Sequence, residues 1–314
     1  MESTRPASAS VQPAPLSGLH LLLTYECNYE CDHCFVWGGP SQPGTMTVET
    51  IEHILKQADE LGTIEWIYFE GGEPFLYYER LCSGVRLAKE SGFSVGIVSN
   101  AYWAKSEKEA LAWLKPFAGV IEDLSISDDD YHGSDELPRS THIARQAAEQ
   151  LRIPTGFISV AGTEATNTQA VTGQIPAGES AVLYRGRAAE KLAMHAEPEP
   201  WTQFKECPWE ELRYPERVHV DVYGNMHICQ GISMGNLLEK PLTEIMAGYD
   251  PDSHPIFGPL LAGGPAELVE RYGLPHKRGY ADACHLCYES RCKLRERFHD
   301  VLTPDQMYGV SRET

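Results

Sequence analysis

The sequence predicts an α/β fold: a partial (β/α)6 TIM-like barrel joined to a small C-terminal α+β cysteine-rich subdomain. Three observations carry this. Short apolar runs alternate with helical patterns at intervals of about 30 residues, which is the signature of βαβ units and a parallel sheet. Glycine-, cysteine- and acid-rich segments follow directly after the apolar runs, on the rim where such barrels gather their ligands. After residue 190 the texture changes: Pro, Glu and Trp become frequent, and Cys207, Cys229, Cys284, Cys287 and Cys292 follow.

Residues 19–24 form a short apolar run that enters a cysteine-rich loop. Residues 47–62 place Val48, Ile51, Ile54, Leu55 and Leu61 at helical spacing and close on Gly62. Residues 64–74, "IEWIYFEGGEP", read as a strand running into a glycine turn. A helix over 76–92 ends at Gly92, and 93–100 is the third strand. Ser106 and Glu109 form a capping box for a helix over 106–117. Strand 120–127, helix 140–151, strand 155–162 and a sixth strand at 181–186 complete the barrel. Residues 1–17 read as a disordered lead-in without an apolar signal-peptide core. The barrel is assigned to 18–190 and the subdomain to 191–314, where Tyr223, Gly224 and Asn225 mark a hairpin. Two further helices and the cysteine-rich tail follow.

The formal net charge is −19, which disfavours nucleic acid as a partner. No apolar run is long enough to span a bilayer, so a cytoplasmic location without membrane contact is expected. Nine clustered cysteines in a chain with no export signal read as metal ligands or reactive thiols rather than as disulfides. Cys82, among Leu81, Val85 and Leu87, reads as core.

Cys27, Cys31 and Cys34 stand in one loop, three residues and then two apart. Closed zinc sites use four ligands, and His33 adjoins Cys34 too closely for its ring to join the same ion. Three thiolates suit an iron–sulfur cubane with one iron left open; zinc and a plain thiol group are the other readings. The Cys27-X3-Cys31-X2-Cys34 loop resembles the signature of radical S-adenosylmethionine (SAM) enzymes. The likeness includes Asn28, the ring residue His33, and Gly71-Gly72-Glu73-Pro74 after the second strand, similar to the family's segment for the SAM amino group. Ser99-Asn100 and residues 125–132, with Ser127, resemble segments near the ribose and carboxylate. The likeness covers residues 18–190. It implies that the open iron of a [4Fe–4S] cluster chelates SAM, and that reductive cleavage yields a 5′-deoxyadenosyl radical that abstracts a hydrogen atom from the substrate. It also implies an external one-electron donor such as flavodoxin or ferredoxin. Glu73 would accept from the SAM ammonium; the cationic partner of its carboxylate is Arg139, with Arg185 and Arg187 as rivals. Phe35 and Trp37 would wall the cluster or pack as core.

The C-terminal pattern "GNMHIC", "MGNL" and Cys284-X2-Cys287 resembles the SPASM and twitch extensions of that family, which hold auxiliary [4Fe–4S] clusters. The chain lacks the further cysteines of a full SPASM pattern, so one twitch-like cluster on Cys207, Cys229, Cys284 and Cys287 is expected. Zinc is the other reading of this second site. Cys292 is then a buried hydrophobe, a substitute ligand, or a thiol that returns a hydrogen atom to a substrate radical. His219 and His227 read as hydrogen-bonded structural histidines, with metal binding or acid–base work as the other option. The substrate is a peptide, cross-linked or epimerised, or a small metabolite such as a sugar or cyclitol. A non-enzymatic iron–sulfur or zinc electron carrier or scaffold is the reading from another class. Methyl transfer on a Rossmann-type fold would need a glycine-rich loop where this chain has cysteines.

Overall fold

The computed structural model describes residues 15–129, 131, 137–161 and 178–310. The first fourteen residues of the expected lead-in, Asp130 and His132 of the fourth-strand turn, and residues 162–177 lie outside it.

In chain order the barrel half consists of β1 (Gly18–Thr24), α1 (Val48–Leu61), β2 (Trp66–Gly71), α2 (Tyr78–Glu90), β3 (Ser94–Ser99), α3 (Glu107–Leu114), β4 (Asp123–Ser127), α4 (Leu137–Gln150), β5 (Thr155–Val160), β6 (Gly178–Ser180) and α5 (Arg187–Lys191). The remainder adds β7 (Glu199–Pro200), β8 (Arg217–Val220), β9 (Asn225–His227), β10 (Ser233–Asn236), α6 (Leu242–Ala247), α7 (Phe257–Tyr272), β11 (Gly279–Tyr280) and α8 (Ala283–Leu294). One nine-stranded sheet runs in the order β10-β9-β8-β1-β2-β3-β4-β5-β6. Strands β8 and β1 through β6 are parallel; β9 and β10 are antiparallel.

Local chemistry sets the element ends. Thr47 accepts a hydrogen bond from Thr50 N at the start of α1, and Gly62 closes that helix in the left-handed region at φ 74°. Ser106 caps α3 by accepting from Glu109 N, as its sequence pattern predicts. Leu19, Leu21, Leu23, Ile67, Phe69, Val95, Ile97, Leu124 and Ile126 are fully buried beneath the helical layer.

One expectation is corrected. The sixth strand lies at 178–180, and residues 181–186 form a connection that descends onto the cysteine loop. This follows because Arg187 is drawn to that loop, donating to Cys31 O and Gly38 O at 2.7 Å each. The expected boundary near 190 does not interrupt the sheet, because β8 pairs with β1 from Gly18↔Arg217 to Leu21↔Val220.

The join between the two halves rests on Asp221, which is fully buried. Its carboxylate accepts from Tyr25 Oη at 3.1 Å, Tyr223 N at 2.9 Å, Asn225 N at 2.9 Å and Asn225 Nδ2 at 3.0 Å. Asp221→Ala would strand buried donors on both sides, at a cost of about 3 kcal/mol or more in chemical denaturation. Asp252→Ala, at an exposed pair with Arg213, should leave the midpoint nearly unchanged.

Candidate radical SAM site and auxiliary cysteine centre

The ends of the parallel strands enclose a cavity of about 230 Å³. Cys27, Cys31, His33 and Cys34 line one side, Gly71, Gly72, Ser99, Asn100 and Ser127 another. Leu22, Val98, Ile158 and Val160 supply an apolar wall. Segments that sequence analysis placed on a common rim therefore meet around one space.

The cysteine loop is held by backbone contacts. Gly72 N donates to Thr24 O at 2.7 Å and Glu73 N to Glu26 O at 2.8 Å. A Cβ on Gly72 would stand 2.1 Å from Glu26 O, so only glycine allows this approach. Tyr29 N lies 3.4 Å from Cys27 Sγ, and Gly38 N 3.2 Å from Cys34 Sγ. Amides directed at sulfur stabilise thiolates. Asn100 Nδ2 donates to Asn28 Oδ1 at 3.0 Å and lies 3.6 Å from Cys27 Sγ. His33 Nε2 stands 3.7 Å from the nearly buried Asp129 carboxylate.

Several predicted roles change. Glu73 is completely buried; it accepts from Phe75 N at 3.0 Å, Ser99 Oγ at 2.9 Å and Asn100 N at 2.7 Å. Its carboxylate ties the second-strand turn to the third and does not line the cavity. Pro74 opens a buried 3₁₀ turn behind that tie, also off the cavity. Arg139 is exposed on α4 and outside the lining; Arg187 is committed to the cysteine loop. Arg185 lines the cavity but donates to Glu210 Oε1 at 2.7 Å and to Cys229 Sγ at 3.3 Å. Phe35 lines the cavity, whereas Trp37 packs outward and donates to Tyr288 Oη at 2.9 Å. Glu70, Asp129, Trp209, Glu210 and Arg217 also line the cavity, and sequence reasoning missed them. A charged residue in the apolar strand "WIYFEG" was the signal available for Glu70.

A second, small cavity is lined by Cys207, Cys229, Cys284 and Cys287 together, the four chosen from the sequence. Three segments of the chain supply these cysteines. A kink in α7 at Gly263-Gly264 seats Gly264, at φ 66°, directly on the backbone of Lys205 and Glu206 and positions the Cys207 segment. Cys229 follows the β8–β9 hairpin, and Asp282 caps the helix that carries Cys284 and Cys287. The two cavities share a wall of Arg185, Trp209 and Glu210. Cys292 is exposed on α8 and lines neither cavity, so it is not placed to return hydrogen to a substrate in the barrel.

Among the described residues, the potential ligand atoms of three side chains lie within 4.8 Å of one another only at His20, Glu70 and His219. The cysteines do not close to that spacing. Sulfurs on one tetrahedral zinc would stand about 3.8 Å apart, given a Zn–S bond of about 2.3 Å. Thiolates on separate irons of a cubane stand further apart than that.

The comparisons agree with this geometry. Residues 21–130, about a third of the chain, match the model of the Radical SAM superfamily. YydG of Bacillus subtilis (strain 168), a protein named for peptide biosynthesis, is 31% identical over 111 residues, 35% of each chain. An S-adenosylmethionine-dependent nucleotide dehydratase of Fibrobacter sp. (strain UWH6) is 28% identical over 117 residues, 35% of this chain and 32% of that one. The chain thus spans about a third of the length of the curated relatives it matches. Among solved structures, Streptococcus suis SuiB bound to precursor peptide SuiA aligns with 87% of this chain and 76% of its own at 14% identity and a TM-score of 0.45. No helix among the described residues is long and apolar enough to cross a membrane.

Burial, then Glu73, pushes the Cys27 thiol up to about 12, against the opposing Tyr29 amide. Burial and the neighbouring Cys34 and Cys27 push Cys31 higher still. Both are therefore protonated near neutrality in cluster-free protein, and cluster assembly must expel their protons. Alkylation of Cys27 and Cys31 in cluster-free protein should accelerate about tenfold per pH unit between about pH 7 and 9, because thiolate fraction rises tenfold per unit below the pKa. A plateau in that range, read by peptide mass spectrometry, would show thiols already ionised.

Proposed function

We propose that this chain is a radical SAM enzyme that abstracts a hydrogen atom from a peptide, with an auxiliary [4Fe–4S] cluster beside the substrate cavity. The observation that carries the reading is the convergence of three cysteines, a glycine turn and Asn100 around one partly apolar cavity whose far wall adjoins four more cysteines.

In this reading Cys27, Cys31 and Cys34 hold the first cluster and leave one iron for SAM. Gly71 and Gly72 admit the methionyl end close to backbone, and Asn100 and Ser127 face the rest of the cofactor. SAM and the cluster together supply a 5′-deoxyadenosyl radical for hydrogen-atom abstraction. The apolar wall keeps water and other quenchers away. Asp129 steadies His33 at the mouth of the loop. Cys207, Cys229, Cys284 and Cys287 hold the second cluster, and Arg185, donating toward Cys229, offsets part of its negative charge. The first electron comes from a flavodoxin- or ferredoxin-type donor.

A peptide substrate is favoured by the likeness to YydG. A small-molecule substrate is the second reading, supported by the likeness to the nucleotide dehydratase. The chain carries a net charge of −19, which suits a cationic peptide better than an anionic metabolite.

Anaerobic reconstitution should load about eight irons per chain, four per cubane. Replacing Cys27, Cys31 and Cys34 with Ala should remove about four and abolish 5′-deoxyadenosine formation from SAM under dithionite. Replacing Cys207, Cys229, Cys284 and Cys287 should remove the other four while basal SAM cleavage persists. A wild-type protein that takes up iron yet forms no 5′-deoxyadenosine would sink the reading.

A further inference from the structure

Below the cysteine rim, inside the barrel, strands β1, β2 and β8 bring His20, Glu70 and His219 together. The register explains the meeting: β1 lies between β2 and β8, and His20 stands opposite Tyr68 on one side and His219 on the other. Glu70 is two residues beyond Tyr68, on the same face of β2. His20 Nδ1 lies 3.0 Å from Glu70 Oε2, and His219 Nε2 lies 3.2 Å from Glu70 Oε1. None of the three is more than 9% exposed. Tyr68 stacks on His20 at 4.7 Å and fixes its ring.

We propose that His20, Glu70 and His219 form a binding site for a divalent transition-metal ion of the zinc or ferrous type, separate from both cysteine centres and open toward the substrate cavity. Two imidazoles and one carboxylate are a donor set for such ions. Ligands at about 2.0–2.2 Å from one tetrahedral ion stand about 3.4 Å apart; each imidazole nitrogen already lies 3.0 or 3.2 Å from a Glu70 oxygen, and the ligand atoms of the three side chains fall within 4.8 Å of one another. A second observation points the same way. Gln230 is 5% exposed, its Nε2 lies 3.2 Å from His219 Nε2, and its Oε1 is buried without a hydrogen-bond partner. Turning this amide over exchanges its two ends and presents an oxygen to the same point, a fourth donor. Glu70 lines the 230 Å³ cavity, which provides access for the ion and leaves its open positions facing substrate. An oxygen or nitrogen of the substrate, such as a peptide carbonyl, would complete the coordination and be held beneath the radical.

The site is tested on the cluster-loaded protein by titration with Zn²⁺ and, for its spectrum, Co²⁺. The expected result is one equivalent of Zn²⁺ bound per chain beyond the cluster iron. Co²⁺ should show weak ligand-field bands without the intense near-ultraviolet absorption of cobalt–thiolate bonds. Glu70→Gln keeps the shape and hydrogen-bonding capacity of the side chain but removes the anionic ligand. It should weaken binding at least tenfold, as should His219→Ala, with iron content unchanged. Formation of 5′-deoxyadenosine from SAM is recorded on the same samples, so failure of the metal site and failure of the radical reading are separate outcomes. Absence of saturable binding, equal binding by Glu70→Gln, or a cobalt–thiolate spectrum would each overturn the proposal and leave the three side chains a hydrogen-bonded support.

Discussion

The structure depends on one close backbone approach. Gly72 and Glu73 hydrogen-bond Thr24 O and Glu26 O, so the second-strand turn lies directly on the root of the cysteine loop. No side chain fits between them. Glu73 carries the constraint one strand further, because its carboxylate binds Ser99 Oγ and Asn100 N. Asn100 then reaches back to Asn28 and Cys27. Three strand ends are thus closed into one ring of contacts around the cavity, and the cysteines acquire a defined position before any ligand binds. A loop rich in buried thiols would otherwise carry the entropy of a free segment into each binding event.

The second half of the chain is attached by the same logic of satisfied buried groups. Asp221 gathers donors from β1's extension and from the β8–β9 hairpin, and β8 continues the parallel sheet. The four-cysteine cavity is therefore anchored to the barrel, separated from the larger cavity by Arg185, Trp209 and Glu210. Arg185 is paired on one face with Glu210 and directed on the other at Cys229. A buried guanidinium needs an anionic partner, and the Glu210 carboxylate supplies it. Arg291, fully buried on α8 and donating to Gln230 O at 2.8 Å, borders the same cavity. Two buried cations beside four thiols match a centre that carries net negative charge once loaded.

Inside the barrel, charge is concentrated on strands that the core would fill more cheaply with hydrocarbon. Burial opposes ionisation of Glu70, yet the flanking imidazoles of His20 and His219 outweigh it and hold the carboxyl well below its usual range. Burial pushes His219 down to about 4. Local rules that dictate apolar strand interiors are broken here by three residues at one point, which is where function is expected to override packing.

The sequence by itself determined the alternation of strands and helices, the caps at Ser106 and Gly62, and the common rim for Cys27, Gly71 and Asn100. These are local or periodic features: turn chemistry, spacing, and the rule that loops after parallel strands share one end. Tertiary structure alone decided that Glu73 faces inward as a tie, and that Arg187 serves the loop while Arg139 faces solvent. It also decided that Cys292 lies outside both cavities, that the sixth strand ends before residue 181, and that His20, Glu70 and His219 meet. Those outcomes depend on which face of an element a neighbour covers and on partners up to 251 residues apart, as in Trp37 with Tyr288. Burial and hydrogen-bond satisfaction select them only when the whole sheet has closed.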